Sequence, residues 1–147
     1  MKATPKMQAF ITLLMKKHEN DFIQCPTERR LRLERDGFLP LCLMVTETTV
    51  SVAQEVPFDE GGNTDPAVLF STVADRWFPV LSSRDGRLSR FYAVPDRNQG
   101  KTLGHFIPVP DAEEEQAQEA LLCEMWAQEL EEQGWLDDTG VEKETAA

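Results

Sequence analysis

The chain has 147 residues, 41% hydrophobic and 28% charged, a composition that suits one globular domain with a buried core. Its formal net charge of −11 opposes direct association with DNA or RNA, and no stretch approaches the ~20 apolar residues of a membrane span. The start, MKATPKMQAF, lacks the apolar run and cleavage site of an export signal, and three cysteines, odd in number and far apart, fit reduced thiols in a cytoplasmic protein.

The charge is unevenly placed. Residues 1–36 hold 8 Lys/Arg against 5 Asp/Glu, residues 37–110 hold 6 against 8, and residues 111–147 hold 1 against 13. Essentially all the excess negative charge therefore lies in the C-terminal quarter.

Taken in chain order, Thr4-Pro5 reads as an N-cap and first helical position. Met7, Phe10, Ile11 and Leu14 then recur at helical spacing, and Lys16, Lys17 and His18 complement the helix dipole, which predicts a helix over 5–19. In RRLRLERDG, Leu31 and Leu33 alternate with Arg30, Arg32 and Glu34, as in a half-exposed strand ended by Asp36-Gly37. FLPLCLMV is an apolar run with a proline, hence a buried strand starting near an edge or bulge. TVSVAQEV alternates through Val50, Val52 and Val56. Residues 66–74 admit two readings, a helix capped at Asp65-Pro66 or a strand. Their β-branched and aromatic content favours the strand.

WFPVLSSRDGRLSRFYAV is a hairpin around a type I′ Asp85-Gly86 turn. Pairing outward from the turn sets Val80 opposite Phe91, with Trp77, Leu81, Leu88, Tyr92 and Val94 on the other face. Apolar groups on both faces predict cover on both sides at the open end. Residues 95–110 are loop with one short strand near 106–109. The last helix begins at Asp111 as cap, carries Glu113, Glu114 and Glu115 in its first turn, and buries Leu122, Trp126 and Leu130 with Leu121 and Met125 beside them. Gly134 stops it and Trp135-Leu136 folds back. Residues 137–147 read as a flexible acidic tail.

Few residues can carry chemistry. PDRNQGKT ends like a phosphate loop, but Pro95 stands where the first glycine belongs and no helix can follow. His18 and His105 are the two histidines, and no cysteine pair has zinc spacing, so no metal or cofactor is expected. His105 is the one candidate general base, more simply read as a packed residue. DEGGNTD lacks calcium-loop spacing. The cluster Arg29, Arg30, Arg32 and Arg35 could touch phosphate, yet it lacks interleaved aromatics. It reads equally as the source of cations for the acidic helix.

That helix poses the functional question. Glu129, Glu131 and Glu132 crowd the negative end of the dipole without a basic sequence neighbour, each unfavourable by ~0.3–1 kcal/mol unless a cation arrives from elsewhere. With Glu124 they form the candidate partner-binding surface, suited to a protein with a basic patch. The alternative is a decoy imitating DNA phosphates, and the third reading is a small enzyme acting through His105.

The segments DGFLPLCLMV, DPAVLFSTVADRWFPVLSSRDG and MWAQELEEQGWL resemble, in that order, a family of small plasmid- and phage-borne bacterial proteins defined as a domain of unknown function. The resemblance spans roughly residues 30–136 and rests on Gly37, Phe38, Pro40, Trp77, Pro79, Trp126 and Gly134. It implies a mobile-element accessory protein, among which inhibitors of host defence are common, and it brings no catalytic residues. The reading is therefore a single α+β domain over 1–136, an antiparallel sheet of about five strands with N- and C-terminal helices packed on it. Its expected role is that of a non-enzymatic interaction protein.

Overall fold

The computed structural model describes residues 2–55, 64–93 and 107–143. Helix α1 (Pro5–Lys17) is followed by strands β1 (Ile23–Gln24), β2 (Arg29–Arg35), β3 (Leu41–Val45), β4 (Thr49–Glu55), β5 (Thr64–Ser71), β6 (Phe78–Arg84) and β7 (Arg87–Arg90). Two short strands, β8 (Tyr92–Ala93) and β9 (Ile107–Pro108), precede helix α2 (Glu113–Glu132), and β10 (Val141–Lys143) ends the described chain. The α+β class is as expected, but the antiparallel sheet is larger than five strands. Its order is β1-β2-β3-β4-β5-β6-β7, with β10 also on β2, and β8 pairs with β9 apart from it. The undercount comes mainly from β1 and β10, two or three residues each, too short for alternation to show.

Strand alternation builds one core face. Leu31, Leu33, Leu41, Leu43, Val45, Val50, Val52, Val68 and Phe70 are buried and turn to the same side. Met7, Phe10, Ile11 and Leu14 of α1 and Cys123, Trp126, Ala127 and Leu130 of α2 join them in a single cluster. Residues 64–71 are strand, as their composition favours. Pro40 falls just before β3, where its missing N–H breaks no ladder bond.

The hairpin forms in the expected register. Asp85 (φ 52°) and Gly86 (φ 76°) both have positive φ, as a type I′ turn requires, and Phe91 N–H donates to the Val80 carbonyl at 3.0 Å. At the open end Trp77, Val80 and Phe91 are buried and Leu81 and Tyr92 half-buried, whereas the turn end is uncovered on one side. Chain pairing leaves the sheet at Tyr92, and Leu88 is 56% exposed on the face away from the helices.

Both helix starts differ from expectation. Thr4 sits at the N-cap of α1, but its side chain is buried and its hydroxyl donates to the Trp77 carbonyl at 3.3 Å. Helix α2 starts from Ala112 without a side-chain cap, because Asp111 turns into positive φ (63°). The far end behaves as expected: Gly134 has φ 85° and Trp135 is fully buried. A side chain at 134 would also meet Arg35 Nη2 at 2.8 Å.

The expected flexible tail is tied down as far as residue 143. Arg35 donates to Asp137 Oδ2 and to the Thr139 carbonyl, each at 3.1 Å, and Lys17 pairs with Asp138 at 2.8 Å. Val141–Lys143 pairs with β2, and Lys143 Nζ reaches Asp21 at 2.6 Å. Lys143, with His18 Nδ1 on the other carboxylate oxygen at 2.8 Å, holds the Asp21 carboxyl below its ordinary range. Two cations from distant positions, Lys17 and Arg35, and the segment's own Lys143 on Asp21 thus anchor it, which no local pattern could reveal.

Candidate functional site

Helix α2 has two faces that its hydrophobic residues alone do not distinguish. The buried stripe is Gln116, Glu119, Ala120, Cys123, Trp126, Ala127 and Leu130. Trp126 and Leu130 match the sequence reading, whereas Leu121, Leu122 and Met125 are 60%, 37% and 54% exposed. The inward face instead accepts two polar residues because each finds a partner. Gln116 accepts from Lys2 N–H at 2.7 Å and donates to the Lys2 carbonyl at 2.8 Å. Glu119 takes Arg84 Nε–H on both oxygens, at 2.9 and 3.0 Å. Burial chiefly, and the Glu119 carboxylate next, push the Cys123 thiol far above its ordinary range, so it packs as a neutral hydrophobe.

At ~100° per residue, the outward stripe runs Glu114, Gln118, Leu121, Met125, Glu129 and Glu132, all exposed. Carboxylates stand at both ends of an apolar middle. The four expected site residues are thereby divided. Glu129 and Glu132 lie on the outward stripe. Glu131 is exposed on the flank toward α1, and Glu132 accepts a 3.0 Å bond from Gln128. Glu124 is half-buried: its carboxylate accepts Lys6 N–H at 3.1 and 3.0 Å and Met7 N–H at 3.1 Å.

Glu124 therefore caps α1 from a neighbouring helix, doing what Thr4 does not, and is removed from the expected partner surface. Orphan N–H groups and the positive dipole end both favour an anion there. Glu124→Ala should lower unfolding free energy by ~1 kcal/mol, the range of a lost N-cap, as read from urea melts.

Arg30 and Arg32 do not supply the missing cations. Alternating with buried Leu31 and Leu33, they point to the face of the sheet opposite α2, where Arg32 pairs with Glu34. The arginine that reaches the end of α2 is Arg35, and it serves Asp137 and Thr139; Arg29 lies over the Phe22 ring at 5.0 Å. Among the described residues, Glu129, Glu131 and Glu132 have no cationic partner.

His105, the loop 95–102 and residues 59–63 of the acidic loop lie outside the described residues. Among those described, no three His, Cys, Asp or Glu side chains could hold a metal ion, and no helix is long and apolar enough to cross a membrane. Comparison of the chain with protein families, curated proteins and solved structures returns no match in any of the three. The fold defines an α+β protein with one helix-covered sheet face, and α2 is its most unusual surface.

Proposed function

We propose that this chain is a non-enzymatic interaction protein that docks a partner protein through the outward stripe of α2. One observation carries the reading: Leu121 and Met125, more than half exposed, stand between exposed carboxylates on a helix whose other face is buried. Exposed apolar groups framed by charge mark interaction surfaces, and complementary charge chiefly speeds encounter and selects the partner. The partner would carry Lys or Arg around an apolar centre. The narrower role, a cytoplasmic inhibitor carried by a mobile element, draws its support from the family resemblance alone.

The stripe favours this reading over a DNA decoy. Between Glu114 and Glu129, 15 residues or ~22 Å, the outward line carries no carboxylate, because Glu119 and Glu124 are engaged by Arg84 and α1. Duplex DNA presents a charge every ~1.7 Å.

The test compares the wild-type chain with a Leu121→Ser, Met125→Ser, Glu129→Lys, Glu132→Lys variant. A partner captured from cell lysate is purified, and its association is measured at low salt. Association should slow by about tenfold or more in the variant, in the range by which charge complementarity alters encounter, while the melting curve is retained. Equal rates for the two proteins would remove α2 as the docking face.

A further inference from the structure

The face of the sheet turned away from both helices carries a pattern that mirrors α2. Register places Arg30, Met44, Ser51, Leu69, Leu81 and Arg90 directly opposite one another across β2 to β7, one residue per strand. The neighbouring row is Arg32, Cys42, Ala53, Ala67, Ser83 and Leu88. An arginine therefore stands at each end of the first row, with an uncharged, mainly apolar middle. Five strand spacings separate the two, ~24 Å at ~4.8 Å each. Arg30, Met44, Leu88 and Arg90 are exposed, and a shallow trough of ≈ 90 Å³ runs between Leu69, Leu81 and Leu88.

The outward stripe of α2 has the complementary order over a matching length: Glu114, then Leu121 and Met125, then Glu129 about 22 Å away. We infer that the open sheet face of a second copy of this chain is an occupant of the α2 face. The inference rests on the reading of α2 as a docking surface and names its partner. The carboxylates of one copy meet Arg30 and Arg90 of the next, while Leu121 and Met125 settle over Leu69, Leu81 and Leu88. Neither surface suits itself, since two α2 stripes or two sheet faces would oppose like charges.

The two surfaces lie on opposite sides of one sheet, so a pair of copies cannot satisfy both at once. The contact is heterologous and repeats, giving a row of copies or a ring. Each link is held in part by exposed charge and weakens with salt.

Sedimentation of the full chain from micromolar to millimolar concentration tests this. At low salt a ladder of species should grow with concentration and shrink when salt is added. A Leu121→Glu, Met125→Glu variant keeps only the sheet half of the contact, and a Leu88→Glu, Arg90→Glu variant keeps only the helix half. Each alone should be monomeric, and an equimolar mixture should yield a heterodimer and nothing larger. All four side chains are exposed, so both variants should fold, as checked by thermal melts; Leu88→Ser with Arg90→Ser replaces the second variant if it does not. A wild-type chain that stays monomeric, or a mixture that yields no heterodimer, overturns the self-association. If a basic protein still binds the Leu88/Arg90 variant but not the Leu121/Met125 variant, the α2 docking face stands and its occupant is not a second copy.

Discussion

Replacing Trp126 with Ala is expected to lower unfolding free energy by ~3–5 kcal/mol, the range for deleting a buried aromatic side chain. The indole is 5% exposed where α2 meets the sheet. Arg84 lies over the ring at 5.8 Å, and Nε1–H donates to Gln54 Oε1 at a long 3.4 Å. Packing supplies most of the expected loss, because so long a hydrogen bond contributes little net stability. Gln54 Nε2–H still donates to the Leu39 carbonyl at 3.4 Å, so the substitution takes the partner of the Gln54 Oε1 acceptor alone. Urea melts of Trp126→Ala and Leu121→Ala give the contrast. Leu121 lies on the outward side, so its loss should change stability by no more than ~0.5 kcal/mol. A Trp126→Ala loss below ~1 kcal/mol would mean that α2 is not docked through this stripe.

The contrast between those two residues also marks how far the sequence could be read. Elements with local determinants were legible. Arg30 to Glu34 alternate with the pleat, Asp85-Gly86 selects its turn and thereby the hairpin register, and Met7 to Leu14 keep one helical face. The rotation of α2 was not legible. Its apolar residues at 121, 122 and 125 compete with those at 126, 127 and 130, and spacing by four from Leu122 points between the two faces. What decides is the burial of Gln116 and Glu119, whose partners lie 114 and 35 residues away. The same is true of Glu124, whose role as the α1 cap depends on a contact across 118 positions. A carboxylate engaged at long range looks, in sequence, like one left for a partner.

The site inherits that limit. Sequence spacing marked Glu129 and Glu132 as lacking nearby cations, and among the described residues none pairs with them. It could not show that the exposed apolar middle belongs between the carboxylates. Nor could it show that Arg30 and Arg90 bracket one row of the open face, since that row joins six strands.

Breaking the buried ion pair should have the second large effect, and its pattern is informative. Glu119 is 5% exposed and Arg84 holds it through Nε, with the side chain of Arg84 26% exposed. Removing one partner strands the other charge, so Glu119→Leu or Arg84→Met should each lower unfolding free energy by ~3 kcal/mol, at the lower end of the range for buried pairs because Arg84 keeps some water. The double variant Arg84→Met, Glu119→Leu should lie within ~1 kcal/mol of wild type, since apolar replacements of similar volume strand nothing. Equal losses in the single and double variants would show that the pair contributes through packing rather than charge. The pair is also expected to fix which side of α2 faces inward. With Leu at 119, in the middle of the inward stripe, no charge remains that only one rotation of the helix can pair, and a roll that buries Leu122 no longer pulls a carboxylate off Arg84. The double variant should therefore keep near-normal stability yet lose uniqueness, with broadened methyl resonances for Leu121, Leu122 and Met125. Sharp, wild-type-like resonances would assign the rotation of α2 to Trp126 and Leu130 alone. The outward stripe would then be set by core packing and not by this ion pair.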